Sequence, residues 1–432
     1  MSQAPTAPAP TRTRIAAASL IGTAIEFYDF YIYGTAAALV LNAAFFPEMD
    51  QVAGTLAAFS TFAVAFISRP LGSAIFGHWG DRIGRKSMLV VSLLLMGLST
   101  VAIGLLPGYT AMGVAAPVLL VLLRFTQGIG LGGEWGGAAL LATEHAPPGK
   151  RGLYAMFPQL GPSVGFIAAN GLFLILGGVL SDEQFVEWGW RLPFIASLLL
   201  VVIGMYVRLK ISETPVFQAA MDERKIAKVP IAGLMRHQWR RVLLGAGAMV
   251  ITYTLFYTAT TYCLSYGTAT LGIPRTTMLS LTMIGVVFMA LGTAVSSMVS
   301  DRFGRRRTLI VGASVAIGWG LVMFPLMQTA SVPLIGVALA GALGLMGLIF
   351  GPMGAYLPEL FRTEYRYSGA SVAYSLGGVL GGAVPPLIAT QIQASGLPVF
   401  YVGGYVSAMA VLSLLCLLAL PETGALEMSG EQ

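Results

Sequence analysis

GDRIGRK (80–86) and SDRFGRRR (300–307) decide how this chain of 432 residues is read. Both run Asp-Arg-x-Gly-Arg, and Asp81 and Asp301 stand 220 positions apart. Other pairs echo them in the same order. Glu144 is followed seven residues on by Arg151, as Glu359 is by Arg366. More weakly, SETP (212–215) is matched by PETG (421–424). Three echoes in one order imply two homologous halves.

The composition says what the halves are made of. The chain is 56% hydrophobic and only 10% charged, where a soluble domain carries roughly 25% charged residues. The excess apolar side chain has to face lipid. Apolar runs of about 20 residues, not short alternating strands, make the protein helical in the membrane. Twelve runs are expected: 15–41, 52–77, 87–106, 113–141, 152–180, 191–209, 241–267, 277–299, 308–327, 332–357, 367–392 and 397–420. The first is too long for a signal peptide and lacks a small-residue cleavage site, so it is expected to remain as a membrane helix. The expected organisation is a disordered tail 1–14, a six-helix half 15–209, a linker 210–240, a second half 241–420 and a tail 421–432.

Of the 25 Lys and Arg residues, Arg69 and Arg124 lie within runs, and Arg191 and Arg275 lie on one side. The remaining 21 fall in the tails and in loops after even-numbered runs. The positive-inside rule then places both termini in the cytoplasm. The net charge of +6 is thus accounted for by topology and contact with the lipid bilayer, and nucleic-acid binding is not expected. Cys263 and Cys416 sit inside apolar runs and read as small core residues. His78, His145 and His237 are not spaced as metal ligands. Neither cofactor nor metal is expected, and the chain is expected to act as a monomer.

The DRxGR loops resemble the signature of the major facilitator superfamily, whose members have twelve transmembrane helices in two pseudo-symmetric six-helix halves. Each loop is a tight Gly-containing turn. Its Asp can accept bonds from helix N-termini, and its arginines can bridge to acids at neighbouring helix ends. A latch on the cytoplasmic face is therefore expected from Asp81, Arg82, Arg85, Glu144 and Arg151, and from Asp301, Arg302, Arg305, Glu359 and Arg366. IEFYDFYIYG (25–34), SRPLG (68–72), RFTQGIGLGGEWGGAAL (124–140), EWGWRLPF (187–194), SETPVF (212–217) and YRYSGASVAY (365–374) look like the metabolite:proton symporter branch of that family. That branch includes permeases for shikimate, 2-oxoglutarate, citrate and proline or betaine. GIPRTTM (272–278), DRFGRRR and YRYSGA are most similar to the shikimate permease type.

Glu26 and Asp29 interrupt the first run, although a charge at the bilayer centre costs roughly 2.5–3.5 kcal/mol on insertion scales. At i and i+3 they are expected on one helix face, with Tyr33 continuing it, turned into a central cavity. An acid there can take up and release a proton as the cavity opens to either side. In related sugar porters an Asp on the first helix pairs with an Arg on the fourth, an arrangement that Asp29 and Arg124 match. Proton coupling is thus expected of Asp29, Glu26 and Arg124, with Glu134 as a further protonatable group. Substrate contacts are expected from Arg124, Tyr33, Arg69, Gln159, Tyr253, Tyr257, Tyr356 and Tyr374. Arg69 can equally clamp Glu134 or Glu26, and the six glycines of 128–137 read as packing devices.

The resulting expectation is a symporter of the plasma (inner) membrane that imports a small organic acid together with a proton. An osmolyte symporter is the alternative. A proton-coupled exporter fits less well, because LGPSVGF (160–166) matches the exporter motif only in part. No cluster of His, Asp or Ser with catalytic spacing points to an enzyme.

Overall fold

The structure, a computed structural model, describes residues 12–83, 85–132, 134–144, 146–147, 149–210, 230–362 and 365–424. The described residues are helical, with no strand among them. Twelve helices form the two halves. In the first, α1 is Arg12–Leu39, α2 Gln51–Ile83 and α3 Arg85–Leu105; α4 is Ala115–Leu131 continued by Glu134–Glu144, α5 is Arg151–Val179 and α6 Arg191–Lys210. In the second, α7 is Trp239–Ala269, α8 Arg275–Phe303, α9 Arg305–Gln328, α10 Val332–Glu359, α11 Arg366–Ala394 and α12 Phe400–Ala419.

The helix pairings show the internal symmetry. Within the first half, α1 packs along α5, α2 along α4 and α3 along α6. Six helices on, α7 packs along α11, α8 along α10 and α9 along α12. Between the halves, α5 lies against α8 and α2 against α11, again a pair and its counterpart. Lipid-facing residues such as Leu199, Val311 and Leu415 are exposed, whereas α7 is buried along most of its length.

Close helix contact comes from glycine where the sequence concentrates it. A Cβ at Gly128 would stand 2.0 Å from Ser68 Oγ, and one at Gly132 would stand 2.3 Å from the Arg69 carbonyl oxygen. Both positions need a bare backbone, and their packing seats Arg69 on α2 against α4.

Two boundaries differ from expectation. Helix α1 begins at Arg12, three residues inside the segment expected as a tail. The linker contains a helix, Pro230–His237, ending one residue before α7. Residues 211–229, with SETP, and 425–432 lie outside the described residues.

Candidate functional site

The charged layer lies where α1, α2 and α4 meet. Glu26, Asp29, Arg69 and Arg124 are all buried. The Arg124 guanidinium stacks on the Tyr33 ring, 3.7 Å from its centroid. Its Nη1 donates to Gln127 Oε1, and its Nη2 donates to the Phe62 carbonyl at 3.3 Å. Gln127 Nε2 in turn donates to the Asp29 carbonyl at 3.2 Å and to Thr100 Oγ1 at 2.7 Å. Arg124 is thereby tied to α1 and α3 through one buried amide. The Tyr33 hydroxyl bonds to Thr61.

A glutamine, a carbonyl and a ring hold the Arg124 cation. Glu26 and Asp29, three residues apart, point about 60° from one another around α1. The Asp29 carboxylate lies beside α3, 3.7 Å from where a Cβ on Gly97 would be. Glu26 acts electrostatically on Arg69, Tyr31 and Tyr374, and so belongs to the boundary between the halves.

Arg69 faces that boundary too. Its guanidinium lies 4.6 Å from the Phe30 centroid and 5.4 Å from that of Phe66. Opposite it stand Tyr253 and Tyr257 of α7, stacked at 6.2 Å, and Tyr374 of α11. Helices α7 and α11 are both interrupted by a π-turn, Thr258–Tyr262 and Val379–Ala383, a feature frequent at functional sites. Between the halves, a cavity of about 10 Å³, room for roughly one water, lies among Tyr31, Tyr253, Phe256, Tyr257, Phe350 and Tyr374.

Contacts between the halves lie at both ends of this region. Toward the DRxGR loops, Trp135 of α4 stacks on Tyr374 at 3.9 Å and donates to Gln159 Oε1 at 3.1 Å. Gln159 Nε2 donates across the halves to the Phe350 carbonyl at 2.8 Å. Beyond this plug, Asp301 caps α5: Oδ1 accepts from Gly152 N at 2.8 Å and Oδ2 from Leu153 N at 2.9 Å. Arg305 contacts Asp301 at 2.7 Å and Glu359 at 3.1 Å, and Arg151 reaches Glu359 from the other half at 3.6 Å. Arg302 is exposed and lies over Phe303. Arg366 opens α11. At the opposite end, Arg275 Nη2 pairs with Asp182 Oδ1 at 2.8 Å, and its guanidinium covers Phe185 at 4.0 Å.

Tyr356 is not a cavity residue. It sits one turn before the end of α10, and its hydroxyl donates to the Pro421 carbonyl at 2.9 Å. That bond holds a strap after α12. Glu422 accepts from the N–H of Arg305 at 2.8 Å and of Arg306 at 3.1 Å, and Thr423 donates to Glu359 at 2.7 Å. The side chains of Asp81, Arg82, Arg85, Glu134 and Glu144 lie outside the described residues. Sequence reading missed Gln127, although its spacing of three from Arg124 puts it on the same face. It also missed Asp182, whose partner is set only by the docking of the halves.

Known proteins share this architecture. The model of the Major Facilitator Superfamily matches residues 19–386. The inner membrane metabolite transport protein YhjE of Escherichia coli is 51% identical over 421 residues, 96% of each chain. The shikimate transporter of the same organism is 39% identical over 85% of this chain and 84% of its own. Among solved structures, the partially occluded inward-open xylose transporter XylE of E. coli superposes with a TM-score of 0.76 at 18% identity, over 96% of this chain and 98% of that one. With the paired halves, the DRxGR turns and a family match over most of its length, the chain belongs to the Major Facilitator Superfamily.

Proposed function

We propose that this chain is a metabolite transporter, specifically a proton-coupled symporter that imports a small organic acid by alternating access. The observation that carries the reading is the charged layer. Two carboxylates and two guanidinium groups are buried near mid-helix in one half, with tyrosines of the other half beside them. Such groups are costly in a membrane interior and mark substrate or ion pathways. The tight relationship to metabolite transporters over the whole chain supports the same conclusion.

In this reading the arginines draw the substrate's carboxylate. Glu26, beside Arg69 at the boundary, carries the coupled proton, with Asp29 and Glu134 as further protonatable groups. Tyr253, Tyr257 and Tyr374 contact the substrate from the second half. The DRxGR face is cytoplasmic, as the basic loops require, and Asp301, Arg305, Glu359 and Arg151 form its latch. Asp81, Arg82, Arg85 and Glu144, from the first copy of the repeated motif, are assigned to the same latch.

The test is uptake into proteoliposomes of labelled shikimate, 2-oxoglutarate, citrate and betaine under an imposed pH gradient. Accumulation that rises with external acidity and collapses with a protonophore is expected. Undiminished accumulation in uncoupled vesicles would defeat symport.

A further inference from the structure

The loops at the end opposite the DRxGR turns carry five carboxylates, Glu48, Asp50, Asp182, Glu183 and Glu187, all exposed. The same loops hold two cations, Arg191 and Arg275. An anion approaching this end meets mostly like charge, so the placing of the cations decides where it can come close. Arg191 is engaged elsewhere. Its Nη1 donates to the carbonyls of Gly104, at 3.0 Å, and of Leu106, just past the end of α3, and its guanidinium lies over Trp190 at 4.6 Å.

Arg275 is placed differently. It opens α8, the end of a helix where a cation is least favoured, so helix stability does not account for it. Its Nη2 pairs with Asp182 Oδ1 across the halves at 2.8 Å. The Arg275 side chain is 16% exposed and that of Asp182 88%, and a pair with so exposed a partner contributes little to holding the halves together. The guanidinium fork is also incompletely used, because Arg275 Nε is buried without a hydrogen-bond partner. The chain beside it is Gly177, where a Cβ would stand 3.2 Å from that nitrogen. Phe185 backs the guanidinium at 4.0 Å.

We infer that Arg275 captures the incoming organic anion at this end, the outer mouth in the proposed orientation, exchanging the Asp182 carboxylate for one of the substrate's as the halves part. The inference rests on the importer reading, and adds to it a residue outside the buried charged layer. Asp182 and Arg275 come from different halves, so opening this end separates them. The parting leaves Nε and Nη2 open to a carboxylate in forked geometry. An anion already there removes the cost of leaving that cation without a partner, so capture and opening favour each other. In the closed state Asp182 masks the same charge.

The experiment is initial-rate uptake into proteoliposomes at low ionic strength, with labelled shikimate, 2-oxoglutarate and citrate as anions and betaine as the zwitterion. Arg275→Gln and Asp182→Asn both break the clasp, yet they leave opposite charges at the mouth. Capture therefore requires opposite effects. KM for a transported anion should rise in Arg275→Gln and fall in Asp182→Asn, the two standing roughly 5-fold or more apart. Betaine should show no such split. The gap should narrow as external salt is raised. Arg275→Lys keeps the charge but lacks the fork, and should lie between the parent and Arg275→Gln. If Arg275→Gln does not fold, Asp182→Asn decides alone: with the clasp already gone, its KM for the anion should still rise with external salt, and that for betaine should not. Equal KM in the two variants, or a split of the same size for betaine, shows the pair to be a clasp and nothing more. Either result overturns the inference and leaves the importer reading standing. Failure of the parent to take up any of the three anions overturns that reading, and the capture with it.

Discussion

Asp301→Asn removes the charge from a carboxylate that caps a helix of the opposite half. Asp301 accepts two backbone N–H bonds at the start of α5 and one bond from Arg305. Asparagine keeps one acceptor oxygen and turns an NH₂ toward the second N–H. Hydrogen bonds to charged groups contribute about 1.5–3 kcal/mol each, and a carboxylate at a helix N-terminus adds about 0.3–1 kcal/mol. The side chain is 12% exposed, so solvent already screens part of this. A loss of about 2–3 kcal/mol from the closed state follows, which shifts an opening equilibrium roughly 30- to 150-fold. Ser371 on α11 is a suitable reporter: it is buried, and a Cβ on Gly136 of the other half would stand 2.1 Å from its hydroxyl. In a background with Cys263 and Cys416 replaced, a cysteine at 371 should react with a membrane-impermeant thiol reagent, applied from the DRxGR side, faster by that factor in the Asp301→Asn variant. Substrate binding should persist. A labelling rate within twofold of the parent, in a variant that keeps its melting temperature, would show that Asp301 does not hold the halves together.

Three further outcomes are expected. Glu26→Gln should abolish accumulation against a gradient yet leave substrate exchange, whereas Asp29→Asn, on the α3 side, should impair accumulation less; both are read in one vesicle preparation, and the reverse order would return the coupling role to Asp29. Gln127→Leu, which strips Arg124 of its amide tether, should raise KM for uptake by roughly 10-fold or more; an unchanged KM refutes the tether. Burial pushes the Glu422 carboxyl up, but backbone N–H groups of Gly424, Arg306, Arg305 and Thr423 hold it below the ordinary carboxylate range. A carboxyl depressed by folding stabilises above its unfolded value of about 4.3 and loses that contribution as pH falls through its folded value. A fluorophore on Gly424→Cys should therefore stay immobile at neutral pH and become mobile only below about pH 4, while Glu422→Gln should free it at every pH; equal mobility of the parent and Glu422→Gln at neutral pH removes Glu422 from the strap.

Much of the fold was legible because membrane helices announce themselves by length and polarity, and because the halves repeat. The DRxGR loops gave the halves, and their glycine has a local reason. Gly304 holds φ of +98° between α8 and α9, and a Cβ there would press within 2.7 Å of Glu422 Oε2. The buried positions of Glu26, Asp29, Arg69 and Arg124 were legible by expense: a charge in an apolar run has to face protein. Their partners were not. A spacing of three residues places Glu26 and Asp29 near one another on α1 but does not say that the Asp29 carboxylate lies beside Gly97 of α3. The tyrosines of α7 and α11 read alike in sequence with Tyr356, yet Tyr356 falls at a helix end and serves the strap. Contacts between halves, such as Arg275 with Asp182, depend on a docking that no local pattern encodes.

The two ends of the closed space differ in strength, and that difference bears on direction. At the DRxGR end, Asp301 caps α5, Arg151 reaches Glu359, Gln159 bonds the Phe350 carbonyl and Trp135 stacks on Tyr374. Several of these are buried or charge-assisted. At the other end the clasp is one ion pair, and its Asp182 side chain is 88% exposed. An exposed pair of that kind contributes about 0–1 kcal/mol and weakens with salt. In the proposed orientation, with the basic loops in the cytoplasm, the Asp182 end faces outside, and the substrate-free protein is expected to open more readily there. Under the proposed symport, entry from there brings an anion to the buried arginines and a proton to Glu26, and each makes the other's burial less costly. Loading a monoanion together with a proton leaves the net charge of this layer unchanged, and in the proposed cycle only then does the stronger gate release. An importer needs that order, with the weak gate facing the supply and the strong one facing the cytoplasm.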